Sequence, residues 1–480
     1  MSSTILNLSF VNAKQLNTHS ELDFFNEMKF KAKSGEKVYN YNTKTLYLGT
    51  EYEAKNLSIN DFSKTNYYEL GLSVKDYLRD EIEVISIDNK DLTNLNIQKL
   101  ILGIRASEYK ASSKLKENTE NLEIRRQINF LSETSSSVLE FSDAVTLGQS
   151  FCKDLLNMRA DQLHPESYPR ILTDKFASFG NSVKLTILDK EAIDNLEMNW
   201  FSAVGRASKH GYNLVSIEIL PQGEVKDTKL FVGKGLTFDN GGINIKEGGH
   251  SLGMHIDMGG SAIVFGTALS LAHLERSENT KFVFISGMVE NGLNESAFHP
   301  GDILENIVGQ TVNVYNTDAE GRLTLGDVAP WGIMTYKPSE ITTLATLTGH
   351  SMMAFTFDVA PIFSNNNKLQ NELYESFLNQ QEEVVKGVIP KIAESKITDP
   401  SGLADLINTS TYKSRQGGSQ TAASFVMQTS QPKLWKKNRP EGLNDYIPTA
   451  HIDVAGPVED SKGLATGYGV ASLVDYCIRK

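Results

Sequence analysis

A chain of 480 residues exceeds what one hydrophobic core can serve, so two domains are expected and a third is allowed. Its 40% apolar and 22% charged residues fit a soluble globular protein and exclude a disordered, collagen-like or coiled-coil chain. With a net charge of −12 and neither half basic, it lacks the electrostatic footprint of a nucleic-acid binder. The longest nearly uncharged apolar stretch, around Ser261–Ala272, falls well short of the roughly 20 residues that span a bilayer. The first residues, MSSTILNLSFVNAKQ, show no basic region followed by an apolar one, so no signal peptide is read and a cytoplasmic location is expected, without a membrane partner. Two cysteines, Cys152 and Cys477, cannot form a disulfide framework, and no Cys-x-x-Cys pair offers a zinc or redox site.

In chain order, the first 130 residues mix short apolar strands, such as KTLYLG (44–49) and EIEVISI (81–87), with helical patterns, and show no internal repeat. From Ser137 to Leu156 apolar residues recur at three- and four-residue steps, which predicts an amphipathic helix linking two domains. Beyond it come β-branched strands at LTIL (185–188), NLVSIEI (213–219), KLFVGKG (229–235), KFVFISG (281–287), VNVYN (312–316) and TTLATLTG (342–349). Helical patterns at Gly260–Glu275 and Asn366–Lys386 lie among them. The expectation is a two-domain α/β protein: an N-terminal α/β domain (1–137), a linker helix (138–160) and a C-terminal domain (161–480) whose central sheet is mostly parallel and flanked by helices. In such sheets chemistry gathers beyond the carboxyl ends of the strands.

Three segments carry that chemistry. In VGKGLTFDNGGINIK (232–246), Lys234 follows an apolar strand, Asp239 comes five residues later and Lys246 closes the segment. A Walker A phosphate loop fails here, because Thr228 and Gly235 stand where it needs a glycine and a hydroxyl. In MHIDMGGSAIVFG (254–266), Asp257 precedes a helix and could simply be its N-cap. In VYNTDAEGRLTLGD (314–327), Asp318, Glu320 and Arg322 fall at steps of two, which on an extended chain would project all three to one side, as a site or as a surface ion-pair ladder. Four carboxylates converging at strand ends would repel one another unless cations sat among them. Two divalent metals would supply that charge and activate a water, and the lack of a Cys pair or H-E-x-x-H excludes the usual mononuclear zinc sites. Residue types alone therefore point to a two-metal hydrolase, with Lys246 and Arg322 left as cations for transition-state charge.

NTDAEGRL (316–323), with VGKGLTFDNGG upstream, resembles the signature of the leucine aminopeptidase (cytosol aminopeptidase) family. VEN (289–291), PGDIL (300–304), LATLTG (344–349), GGSQTAASFV (417–426), HIDVAGP (451–457) and GLATGYGVASLV (463–474) extend the likeness over most of 229–475. The resemblance implies that Asp239 and Glu320 bridge two metals, that Asp318 completes the more exchangeable site, and that Lys234 and Asp257 complete the tighter one. It implies Zn or Mn, with Mg or Co as alternatives. Lys246 would polarise the scissile carbonyl, and Arg322 would hold a bicarbonate ion serving as general base on the bridging water. The free amine of a small peptide would bind one metal, so that only the N-terminal residue is released. Met254, Thr346, Gly349 and Ala455 match the pocket for that residue and favour Leu, Met or similar side chains, although each also has a packing explanation. A homohexamer is implied as well.

The sequence also departs from the family pattern. His350 follows LTG where an Ala is usual, beside the expected pocket, and His299 replaces a common Arg. Gly326 and Pro330 stand where the family has good helix formers, so that helix is expected to start late or kink. MRADQLHPESY (158–168) differs from the usual Asn- and Pro-rich entry to the catalytic domain. A catalytically idle scaffold is the alternative function, and such a relative would be free to lose the site residues retained here.

Overall fold

The computed structural model describes residues 4–16, 18–34, 36–50, 66–79, 81–111, 126–412 and 416–479. The chain divides into two compact units, and the boundary falls at Leu147–Gly148, inside the long helix Ser136–Asn157.

Five strands of the first unit, β1 (Thr4–Val11), β2 (Lys37–Asn40), β3 (Thr45–Gly49), β4 (Ile82–Ile87) and β5 (Gln127–Phe130), form one sheet in the order β2-β3-β1-β4-β5. Only the β2–β3 pair is antiparallel. Leu6, Leu8, Leu46, Leu48, Ile85 and Ile87 of the sheet pack with Ile97, Leu100, Ile101 and Ile104 of the helix Asn94–Glu108. Thr93 starts that helix by accepting a hydrogen bond from Asn96 N–H.

The second unit contributes β6 (Val183–Leu188), β7 (Asn213–Ile219), β8 (Asp227–Asp239), β9 (Thr280–Asn291), β10 (Ile303–Glu305), β11 (Thr311–Asn313), β12 (Glu340–Ala345), β13 (Ala360–Ser364), β14 (Val384–Lys386), β15 (Leu406–Ile407) and β16 (Thr449–Asp453). Eight of these make one sheet in the order β14-β13-β16-β12-β8-β9-β7-β6, while β10, β11 and β15 make a small one. The four central strands β16, β12, β8 and β9 run parallel, and antiparallel pairs flank them. The molecule is thus α/β, with a parallel sheet centre as expected. No helix among the described residues is long and apolar enough to cross a membrane.

Two buried helices place the chemistry. Gly259–His273 is buried from Gly259 to Leu271. A side chain at Gly260 would meet Leu344 O of β12 at 2.0 Å, so only glycine lets this helix start directly against the sheet. The second helix, Gly321–Tyr336, begins at once after Glu320 and carries Pro330 inside it, so the expected late start does not occur. Proline removes the N–H that would have bonded the carbonyl of Gly326. Asn306 Nδ2 donates to that carbonyl at 3.0 Å instead, inside the core. Asn306→Ala is therefore expected to lower unfolding stability by about 1–3 kcal/mol, the cost of an unsatisfied buried acceptor. Denaturant unfolding would read this, and an unchanged midpoint would refute it.

Other expectations need correction. The helix expected over 366–386 ends at Asn379 and is followed by the short strand β14. The strand expected over 312–316 is only β11, and it belongs to the small sheet. Asp318 and Glu320 are therefore not at a strand end of the main sheet.

Candidate active site

β8 and β9 pair in parallel with Asp239 opposite Asn291, which sets the floor of the site. Asn291 Nδ2 donates to Asp239 Oδ1 (2.8 Å) and to Thr317 O (3.0 Å), tying the end of the sheet to the loop that follows β11. That loop turns rather than continuing extended, and Glu320 has helical backbone angles (φ −82°, ψ −34°). The turn, not strand alternation, brings carboxylate oxygens of Asp239, Asp318 and Glu320 within 4.8 Å of one another.

Asp257 joins them from another direction. It does not cap the helix Gly259–His273, whose N-cap is Met258 and lacks a side-chain cap. Its Oδ1 accepts from Thr346 Oγ1 (2.8 Å), and its Oδ2 faces Lys234 Nζ at 2.8 Å. Lys234 Nζ also donates to Glu320 Oε1 (3.0 Å) and Thr346 O (3.1 Å). Gly321 leaves room for this lysine, since a Cβ there would stand 2.5 Å from its Cε. Lys246 Nζ lies 2.7 Å from Asp239 Oδ2 and contacts Asp318 Oδ1.

The electrostatics follow from burial and pairing. Burial alone would lower the Lys234 pKa, but Asp257, Glu320 and Asp239 more than reverse this and hold it above its ordinary value. The same balance raises Lys246, where Asp239 and Glu320 dominate. Burial pushes the Asp257 carboxyl up, against the pull of the Lys234 ammonium. Arg322 is buried, and burial brings it down to about 10 against Glu320 and Asp453, so it stays charged at neutral pH.

All eleven residues singled out from the sequence line a single cleft of about 1520 Å³: the seven polar ones with Met254, Thr346, Gly349 and Ala455. His350 lines it too, with its ring laid over Gly418, where a Cβ would be 2.5 Å from Nδ1. Sequence reasoning gave no role to Asn291 or to Asp453. Asp453, at the end of β16, accepts from Thr348 Oγ1 (2.7 Å) and Leu347 N–H (3.2 Å) and so holds the loop after β12. The sequence signal for both was a polar residue closing an apolar strand.

Residues 150–474 match the model of the cytosol aminopeptidase family, catalytic domain. The chain belongs to the cytosol aminopeptidase family. It is 32% identical to a "probable cytosol aminopeptidase" of Prochlorococcus marinus, across 81% of this chain and 76% of that one. It is 35% identical to the chloroplastic leucine aminopeptidase 2 of rice, across 71% of this chain and 54% of that one. Among solved structures, a mutant tomato leucine aminopeptidase superposes with a TM-score of 0.82 at 25% identity, covering 100% of this chain and 94% of that one. As a member of this family, the chain is a peptidase.

The residues present fit divalent metals. Glu320 Oε2 is buried and has no hydrogen-bond partner among the described residues, a costly state for a carboxylate unless a cation completes it. The donors are hard oxygens with one amine, a set suited to Zn, Mn, Mg or Co.

Proposed function

We propose that this peptidase is a two-metal enzyme that releases an N-terminal Leu, Met or similar apolar residue from small peptides. The unpartnered Glu320 Oε2, in a three-carboxylate cluster beside two cations, carries the reading. Asp239, Asp318 and Glu320 would hold two divalent ions, Zn or Mn first and Mg or Co as alternatives, with Lys234 and Asp257 completing one of the sites. When bound, the ions supply charge against the clustered carboxylates and an acidified water. Lys246 would leave its carboxylate partners and stabilise the oxyanion that develops on the scissile carbonyl. Arg322, with Nε buried and unpartnered among the described residues, would hold a bicarbonate ion as a general base. Met254, Thr346, Gly349 and Ala455 would receive the first side chain, and His350 would shape its rim. The same reading carries a homohexamer, to be checked by light scattering, and a cytoplasmic location. A nucleic-acid partner is disfavoured by the net charge of −12.

The test is hydrolysis of leucine p-nitroanilide and a dipeptide panel by protein stripped with chelator and then given Zn, Mn, Co or Mg. Activity is expected to vanish on stripping and return with metal, and the panel reports how His350 limits the first residue. Folded protein that binds two ions yet turns over nothing would return the idle scaffold, which no observation here favours.

A further inference from the structure

Two histidines that play no part in the cleft lie face to face elsewhere in the second unit. His164 belongs to the segment entering the helix Ser167–Phe176, and His210 to the turn between the helix Asn199–Gly205 and β7. Their rings are 3.7 Å apart and 16° from parallel. Glu166 Oε2 stands 3.8 Å from His210 Nδ1, and ligand atoms of His164, Glu166 and His210 all fall within 4.8 Å of one another.

The spacing is informative. At 3.8 Å the His210–Glu166 contact is too long for a hydrogen bond. It is close to the about 3.3 Å that separates two ligands of a tetrahedral ion with bonds near 2.0 Å. Neither ring nitrogen of His210 has a hydrogen-bond partner among the described residues, while both backbones are pinned: His164 N–H donates to Ser167 Oγ (2.9 Å) and His210 N–H to Ser208 Oγ (3.1 Å). Arg170 holds the other Glu166 oxygen at 2.9 Å, which leaves Oε2 for a second partner. Ser208 Oγ also donates to Glu290, so a further carboxylate stands near.

We propose that His164, Glu166 and His210 form a third metal site, selective for Zn²⁺ over Mg²⁺, separate from the carboxylate cleft. Two imidazoles and one carboxylate are the donor set of an open zinc site, whereas Mg²⁺ prefers oxygen alone. Stacked rings cannot both turn an in-plane nitrogen onto one tetrahedral ion, so capture of the ion requires one imidazole to rotate about its Cβ–Cγ bond. The long 3.3 Å bond from Ser167 N–H to His164 Nδ1 is the contact such a rotation gives up on that ring. The bound ion would clip the segment before Ser167 to the turn before β7. The inference does not depend on the cleft holding two metals.

The experiment dialyses chelator-stripped full-length protein against Zn²⁺ and counts ions per chain by elemental analysis. His210→Ala and His164→Gln are each expected to hold one Zn²⁺ fewer than wild type, with unchanged circular dichroism and leucine p-nitroanilide turnover. With Co²⁺ as probe, a visible tetrahedral band should disappear in both histidine variants and persist in Asp318→Ala, which separates this site from the cleft. Equal zinc content in wild type and both histidine variants would overturn the proposal, as would a Co²⁺ band that only Asp318→Ala removes.

Discussion

Asp318→Ala is expected to lower kcat/KM by about 10³-fold or more, some 4 kcal/mol of transition-state stabilisation, in a protein that still folds. Asp318 is one of the three clustered carboxylates, so its loss would remove a proposed ligand and leave Lys246 to rest on Asp239 alone. The fold should survive because the Asp318 side chain is a quarter exposed and lies in a loop rather than in the core. The paired measurements are steady-state kinetics at saturating metal and thermal unfolding of the same preparation. Activity within tenfold of wild type would remove Asp318 from the site, whereas a collapse in the unfolding temperature would make the kinetic loss uninformative.

The second large effect concerns protons. In the metal-free protein Lys234 is an ammonium whose pKa the surrounding carboxylates hold above its ordinary value, despite burial. An ammonium has no lone pair, so a dication using this nitrogen must displace its proton. The sign follows: as long as pH stays below the raised pKa, each unit of rise should strengthen binding at that position about tenfold. Any proton on Asp257, whose carboxyl is raised by burial against the pull of Lys234, would steepen the slope. Zinc titrations between pH 6 and 8, in buffers of different ionisation enthalpy, count the protons released. Binding that is independent of pH, with no proton released, would exclude Lys234 as a ligand.

How much of this could be read from the chain depended on whether the signal was local. NLVSIEI is β7 to the residue, and the pattern of Gly260–Glu275 gives the buried helix within two residues, because both periodicities are long enough to recognise. Strands of two or three residues, such as β14 and β15, have no periodicity and went unread. Asp257 looked like an N-cap because capping is the commonest local use of an Asp before a helix. The requirement that Gly260 touch β12, together with the bond from Thr346, gives it another purpose. Asp318 and Glu320 converge because the chain turns between them, not because strand alternation puts them on one side. Asn291 was invisible as a partner of Asp239 because only the β8–β9 register, spanning some fifty residues of sequence, sets the two opposite each other.

Lys234 and Lys246, seated among the four carboxylates, also bear on the life of the protein before any metal arrives. Many small metal-dependent domains unfold without their ion, because nothing else holds their ligands together. Here each lysine touches two of the acids, so the chain's own cations offset their mutual repulsion. A chelator-stripped chain is then expected to keep its fold, because these pairs do not depend on an added ion.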